Sequence, residues 1–316
     1  MAAALGVLAS CGSVKSGEDA IAASRDSKVV VAYVTSWSDV MPDPQCMTHI
    51  NYAFGHVNES FNGVKIDNEE RLKQIVDLKK QKPDLKVLLS IGGWGSGRFS
   101  EMAANDEYRR AFAVDCERVV EEFALDGIDI DWEYPTSSMA NISSSPDDTE
   151  NFTLLMQDIR AAIGNEKELT LATVASARYI DFKAILPSVD FVNIMAYDMA
   201  SAPKHHSALY PSGHSGDITS DGAVTAHLKA GVPPSKLVMG MPFYGRGGDG
   251  YPSFQDYNKV GNTDTQYTEK WDEVAQVPYL ADKNDTLVFG FENPRSLAIK
   301  CQYILDKDLL GGMRSE

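Results

Sequence analysis

Short apolar runs alternate along the chain with segments of helical periodicity. Eight of the runs are rich in β-branched residues and almost continuously apolar, as expected of strands that are buried on both faces. They cover residues 29–37, 48–55, 85–91, 127–133, 168–175, 189–197, 236–244 and 309–313. The segments between them predict helices at residues 68–82, 107–125, 147–164, 179–186, 220–230 and 294–306.

Eight strands that alternate with helices predict an α/β fold, the (β/α)8 TIM barrel, over residues 29–316. A doubly wound open sheet is the alternative, but residues 92–97 (GGWGSG) after the third strand do not fit the G-x-G-x-x-G pattern of such folds. Residues 247–293 are too long for a simple connection and predict a small inserted subdomain between strands 7 and 8. The sequence stops after the eighth strand, so we expect a barrel without its last helix.

The first 28 residues differ from the rest of the chain. A short apolar run ends in Leu8-Ala9-Ser10-Cys11, which resembles a bacterial lipobox, where the cysteine is acylated. We therefore expect residues 1–28 to be a lipoprotein signal and tether that anchors the protein through Cys11 to the bacterial cell envelope, on the outer membrane, the cell surface or in the periplasm. No Lys or Arg precedes the run, and a plain secretory leader is the alternative.

Charge and cysteine content narrow the choice of partners. The chain has 29 Lys and Arg against 45 Asp and Glu, a net charge of −16. Such a charge repels nucleic acid and suits a neutral ligand such as a carbohydrate. Apart from Cys11, the cysteines at 46, 116 and 301 are too widely spaced for a disulfide framework or a zinc ribbon, and we expect them to be small buried hydrophobic residues.

The fourth predicted strand carries the most informative pattern, because residues 126–135 read DGIDIDWEYP. Side chains alternate along a strand, so Asp129, Asp131 and Glu133 share one face at intervals of about 6.6 Å. The apolar residues between them take the other face, where helices pack. The acids therefore face the inside of the barrel, and Glu133 lies at its C-terminal mouth, where barrel enzymes carry out their chemistry.

Three carboxyl groups at this spacing raise at least one pKa, and a carboxyl that stays protonated near neutral pH can act as a general acid. A solvated acidic edge does not fit the intervening isoleucines and tryptophan. A divalent metal would need further oxygen or imidazole ligands, and no histidine ends a predicted strand. We therefore expect no metal and no cofactor, and we expect His205 and His206 to lie in a surface loop.

At these residues the sequence resembles glycoside hydrolase family 18, the chitinases and their relatives. The family's D-G-x-D-x-D-x-E signature is complete at residues 126–133, its S-x-G-G motif is at residues 90–93, and its M-x-Y-D motif is at residues 195–198. The P-F-Y-G-R ending of the seventh strand is at residues 242–246. The matches run in order over residues 29–313.

The resemblance implies a retaining mechanism in which the N-acetyl group of the substrate is the nucleophile. Glu133 would protonate the leaving oxygen, Asp131 would hold the acetamido N–H, and Asp129 would share a proton with Asp131. Tyr197 would steady the oxazolinium intermediate. The remaining side chains implied in substrate binding are those of Tyr33, Ser90, Trp94, Asp198, Tyr244 and Arg246.

Three functions stay open at this point. The first is hydrolysis of β-1,4-linked N-acetylglucosamine in chitin or chito-oligosaccharides, which Trp132 and the P-F-Y-G-R segment favour. We expect such an enzyme to be a monomer. The second is an endo-β-N-acetylglucosaminidase that acts on N-glycans of glycoproteins. The third is a non-catalytic chitin-binding lectin, although such relatives typically lack the acid that Glu133 supplies here.

One position departs from the family pattern. Ser315 stands where the eighth strand of the family usually ends in a tryptophan that forms the floor of the sugar site. A serine lacks that apolar surface, so we expect weaker sugar binding there. The short insertion also implies a shallow cleft and favours endo-acting or non-processive cleavage.

Overall fold

The computed structural model describes residues 28–248, 255–256 and 267–315. Eight parallel strands form a closed barrel: β1 (Val29–Thr35), β2 (His49–Val57), β4 (Lys86–Gly92), β5 (Gly127–Asp131), β6 (Glu168–Val174), β7 (Phe191–Met195), β8 (Leu237–Pro242) and β14 (Gly311–Ser315). The barrel closes because β1 pairs with both β2 and β14. The predicted (β/α)8 barrel is confirmed, and the open-sheet alternative is wrong.

Helices connect these strands on the outside of the barrel. Within the described residues they are α1 (Glu69–Val76), α2 (Phe99–Ala104), α3 (Asp106–Glu122), α4 (Asp148–Ile163), α5 (Phe182–Ile185), α6 (Ser220–Lys229) and α7 (Pro294–Asp306). The side chain of Asn293 accepts a hydrogen bond from the N–H of Ser296, and the Ser296 hydroxyl accepts one from the N–H of Asn293, so α7 begins at its predicted residue. In the described part of the chain, no helix is both long enough and apolar enough to cross a membrane.

The two faces of β5 differ as the alternation predicts. Ile128, Ile130 and Trp132 point outwards into the main core, where the Trp132 ring stacks on Phe99 at 5.3 Å and tilts against Phe152 at 6.0 Å. A smaller apolar cluster fills the inside of the barrel. Asp129 and Asp131 of β5 point to the inside of the barrel, as this inner cluster does, and not to the face that the helices cover.

A second, antiparallel sheet begins directly after the seventh barrel strand. Its strands, β9 (Tyr244–Gly247), β10 (Gln255–Asp256), β11 (Thr268–Asp272), β12 (Val277–Ala281) and β13 (Leu287–Gly290), are ordered β10-β9-β13-β12-β11. The sheet therefore starts at residue 244, three residues before the segment we expected to be inserted. A buried ion pair between Lys300 and Glu292 holds α7 to the short segment that follows this sheet, and the Ser207 hydroxyl also donates to Glu292 at 2.6 Å.

A short antiparallel strand, β3 (Val64–Ile66), forms a hairpin with the end of β2. The hairpin extends β2 beyond the barrel rim, at the same end as the acids of β5. It therefore forms part of the wall around the mouth.

The cysteines differ from the expectation of uniform burial. Cys116 is buried in α3, but Cys46 and Cys301 are exposed, so the expectation is wrong for both. Cys46 ends a 3-10 helix in the loop after β1, and Cys301 lies on the surface of α7. Cys11 lies outside the described residues.

We expect Trp132→Ala to lower the free energy of unfolding by about 3–5 kcal/mol, because it leaves a cavity between Phe99 and Phe152. Urea denaturation followed by circular dichroism measures this change. Trp37→Ala is the control, since Trp37 is 70 % exposed, and its effect should stay near 0.5 kcal/mol. Equal losses in the two variants would contradict the assignment of Trp132 to the core.

Candidate active site

The three acids of the predicted pattern lie together at the C-terminal mouth of the barrel. Asp129 is 0 % and Asp131 5 % exposed, and both belong to β5. Glu133 follows two residues after the strand ends and is partly buried. The end of β4 approaches this strand so closely that a Cβ at Gly92, where φ is +134°, would lie 1.9 Å from the Asp131 carbonyl oxygen. Glycine is therefore required at the position that the S-x-G-G motif gives it.

Asp129 is held by four hydrogen-bond donors from four different barrel strands. Its carboxylate accepts from the hydroxyls of Tyr33 (2.8 Å), Ser90 (2.7 Å) and Thr170 (2.6 Å) and from the amide of Asn193 (3.3 Å). Burial raises the pKa of Asp129, and these four bonds oppose the rise. A charge on Asp129 is thus largely compensated inside the barrel.

Two of these donors, Thr170 and Asn193, were not predicted from the sequence. Each is a polar residue in the middle of an otherwise apolar strand, and both are 0 % exposed. The alternation that places Asp129 inside the barrel also applies to β6 and β7. A polar residue at an inward position of those strands was the signal that could have revealed them.

Asp131 is the acid without compensation. It is buried, and its Oδ1 accepts no hydrogen bond from any residue that the structure describes. Burial raises its pKa well above the usual range, and the charges of Glu133 and Asp129 raise it further. This carboxyl is therefore the one most in need of a proton or of a donor from a ligand.

Glu133 meets the requirement for a general acid. Burial raises its pKa to about 7, the charge of Asp198 adds to the rise, and a hydrogen bond with the side chain of Tyr134 opposes it. A carboxyl with this pKa is about half protonated at neutral pH. It can both donate a proton and take one back near pH 7, which acid–base catalysis requires.

Tyr197 follows β7, which lies two strands from the acid strand β5 in the barrel sheet. Burial raises the pKa of its hydroxyl, which forms a hydrogen bond with the side chain of Ser315. Ser315 ends β14 opposite Pro242, and its carbonyl oxygen accepts from the N–H of Phe243 at 2.9 Å. A hydroxyl thus occupies the place where the family pattern has an indole ring.

Asp198, Tyr244 and Arg246 form a second polar group at the rim. The Arg246 guanidinium donates to the Asp198 carboxylate at 2.9 Å, and the His206 Nδ1 lies 3.3 Å from the same carboxylate. The Tyr244 ring is buried and contacts Tyr197 edge-on, with ring centroids 6.2 Å apart. The sequence-predicted rim residues are therefore in mutual contact.

The expectation that His205 and His206 lie on the surface is wrong, because they are only 2 % and 1 % exposed. The second sheet covers their loop: the His205 Nε2 lies 3.1 Å from the Asp272 carboxylate, and its ring packs against Tyr279 of β12. Burial lowers the pKa of His205 to about 4, so this imidazole is neutral.

Trp94 presents an open aromatic face beside the acids. It is 61 % exposed, and its ring meets Tyr134 edge-on, with centroids 6.4 Å apart. Because Tyr134 adjoins Glu133 in sequence, Trp94 lies close to the acid. An exposed indole there can stack on the C–H face of a sugar.

The chain is similar over nearly its whole described length to proteins of one family. The model of "Glycosyl hydrolases family 18" matches residues 29–314. Chitinase A1 of Niallia circulans is 30 % identical over 94 % of this chain and 57 % of that protein, so the chain spans just over half of that relative. Chitotriosidase-1 of Mus musculus is 31 % identical over 90 % of this chain and 71 % of that protein.

The fold comparison agrees with the sequence comparison. The solved structure of a glycoside hydrolase family 18 N-acetylglucosaminidase from Paenibacillus barengoltzii superposes with a TM-score of 0.84. The two chains are 34 % identical, and the alignment covers 92 % of this chain and 95 % of that one. This chain belongs to glycosyl hydrolases family 18.

Proposed function

We propose that the chain is a retaining glycoside hydrolase that cleaves β-1,4-linked N-acetylglucosamine in chitin or chito-oligosaccharides. The observation that carries this proposal is Asp131, whose buried Oδ1 accepts no hydrogen bond from the described residues and whose side chain shares a strand face with the acid Glu133. An acetamido N–H is the donor that this oxygen lacks. The names of the relatives, chitinase A1 and chitotriosidase-1, support the substrate class.

The proposed reaction needs one acid and no carboxylate nucleophile. Glu133 gives its proton to the glycosidic oxygen, and the bond from that oxygen to the anomeric carbon breaks. The acetamido oxygen of the same sugar attacks the carbon from the other side and forms an oxazolinium ring, while Asp131 accepts the acetamido N–H. Glu133 then removes a proton from water, and the water oxygen opens the ring with net retention.

The surrounding residues stabilise charge at each stage. The Tyr197 hydroxyl donates to the acetamido oxygen, and Asp129 with its four donors balances the changing charge on Asp131. The ion pair of Asp198 and Arg246 lines the cleft where the distorted sugar lies. Preorganised groups of this kind lower the barrier because they need little rearrangement during the reaction.

We expect Glu133→Gln to lower kcat on a fluorogenic chitotrioside by about 10²–10⁴-fold, because the amide has no proton to give. Glu166→Gln is the matched control: Glu166 is exposed in the loop between α4 and β6, at the opposite end of the barrel. A high-mannose glycoprotein is assayed in parallel. Cleavage of the glycoprotein alone would overturn the chitin assignment, and binding without cleavage of either substrate would indicate a lectin.

We expect kcat/KM to fall about tenfold per pH unit above pH 7, because the acid form of Glu133, whose pKa is about 7, is lost there. A pH–rate profile on the chitotrioside measures this limb. An alkaline limb near pH 4.5 would contradict the raised pKa.

The raised pKa of Glu133 also makes the stability of the fold depend on pH. Since the folded protein binds this proton more tightly than the unfolded chain, stability decreases as pH rises from 4.5 to 7. A rise of the Glu133 pKa from 4.5 to about 7 means that the folded protein loses about 3 kcal/mol of stability once this carboxyl is ionised. Glu133→Gln removes this cost, so its melting temperature should exceed that of the wild type at pH 8 and equal it at pH 4.

We also propose that Cys11 carries lipid and anchors the chain to the bacterial cell envelope, on the strength of residues 8–11. Cys11→Ser should move the expressed protein from the detergent phase to the aqueous phase in Triton X-114 partition and abolish labelling by radioactive palmitate. Ser10→Ala keeps the thiol and is the control. Unchanged partition of the Cys11 variant would contradict acylation.

A further inference from the structure

His206 lies against the ion pair of Asp198 and Arg246, and the proposed reaction gives it no role. Its side chain is 1 % exposed, whereas that of Asp198 is 30 % exposed. The His206 Nδ1 lies 3.3 Å from the Asp198 Oδ1, and the imidazole packs against the Tyr244 ring with centroids 5.6 Å apart. A group buried in this way can affect a bound sugar only through the residues that it touches.

The hydrogen bond between His206 and Asp198 has one direction. An ionised carboxylate only accepts, so the Nδ1–H of His206 is the donor. The Nε2 of the same ring is buried and has no hydrogen-bond partner among the residues that the structure describes. The tautomer with its single proton on Nδ1 fits this site, because it leaves no buried N–H without an acceptor.

The backbone of His206 is fixed from two sides. Its carbonyl oxygen accepts from the N–H of Met199 at 3.0 Å, which closes a loop that begins one residue after the carboxylate. On the other side, the buried ammonium of Lys300 on α7 donates to the carbonyl oxygen of Ser207 at 2.5 Å. The imidazole is therefore attached to a backbone that a barrel helix holds in place.

Asp198 is less firmly held without this donor. The Arg246 guanidinium contacts both of its oxygens, but the two side chains of this pair are 28 % and 30 % exposed. The charge of Asp198 raises the pKa of Glu133, so the two carboxyl groups lie close together. A rotation of the Asp198 carboxylate therefore changes both the wall of the cleft and the surroundings of the acid.

We propose that His206 is a positioning residue, which holds the Asp198 carboxylate in the orientation that lines the cleft. The proposal rests on the proposed function, because it concerns how Asp198 is presented to the bound sugar. A partly exposed ion pair has several arrangements, and a buried donor on a fixed backbone selects one of them. The loop between β7 and α6 thus contributes to the site although its imidazole does not reach the substrate.

Two variants separate the hydrogen bond from packing. His206→Leu keeps an apolar group of similar size and removes the donor, whereas His206→Asn loses bulk and keeps a donor close to the position of Nδ1. We expect His206→Leu to lower kcat/KM on the fluorogenic chitotrioside about five- to thirtyfold, the effect of losing a hydrogen bond to a charged group. His206→Asn should stay within about threefold of the wild type.

His214→Ala is the matched control, because His214 is an exposed histidine of the same loop that contacts the rings of His205 and Tyr279. Its kcat/KM should equal that of the wild type. A loss in His206→Asn together with full activity in His206→Leu would show a packing role and overturn the proposal. If His206→Leu does not fold, as judged by circular dichroism, His206→Ala takes its place.

A double-mutant cycle tests whether His206 acts through Asp198. In an Asp198→Ala background, His206→Leu should change kcat/KM by less than about twofold, because the carboxylate that it positions is absent. The same loss in both backgrounds would overturn the proposal. If Asp198→Ala has no measurable turnover, the cycle is measured as the Kd for chitotetraose by calorimetry, with Glu133→Gln present in every member.

Crystal structures of the two His206 variants test the positioning without any substrate. We expect the Asp198 carboxylate to be rotated or to adopt two conformers in His206→Leu, and to keep one orientation in His206→Asn. An unchanged single conformer in His206→Leu would overturn the proposal. A wild type that does not cleave the chitotrioside would instead refute the proposed function, and the crystallographic result would still decide the role of His206.

Discussion

The burial of adjacent carboxyl groups on one face of β5 is the constraint on which the rest of the site depends. Asp129 and Asp131 cannot both carry a charge cheaply inside the barrel, and Glu133 adds a third acid at the rim. The protein compensates only one of them. Four donors surround Asp129, whereas Asp131 keeps an oxygen without a partner among the described residues. The two aspartate side chains are chemically identical, and this difference in hydrogen bonding gives them different roles.

A closed barrel is what makes that compensation available. The donors to Asp129 come from β1, β4, β6 and β7, and Tyr33 lies 96 residues before it in sequence. Only a sheet that curves back on itself brings such strands around one carboxylate. Outside this rigid centre, the walls come from less regular elements: the second sheet supplies Tyr244 and Arg246, and the loop after β4 supplies Trp94. The inner residues are those that the proposed reaction uses, and the outer ones are those that we propose for substrate binding.

The sequence predicts well the features that depend on neighbouring residues, and it predicts poorly those that depend on contacts between distant residues. The strands, the bounds of α7 and the inward face of β5 follow from periodicities of two and 3.6 residues, which short segments impose by themselves. Burial of His205 depends on β11 and β12, which lie more than 60 residues further on, so the loop sequence gives no sign of it. The short helix α2 was not predicted, since six residues are too few to show a helical period.

The central claim is that Glu133 keeps a proton near neutral pH because its surroundings are buried and acidic. The most direct measurement is a titration of carboxyl side-chain carbons by ¹³C NMR, with Glu133→Gln used to assign the resonance. The account predicts a midpoint near pH 7 for the signal that disappears in the variant. A midpoint near 4.5, the ordinary value of a glutamate, would contradict it.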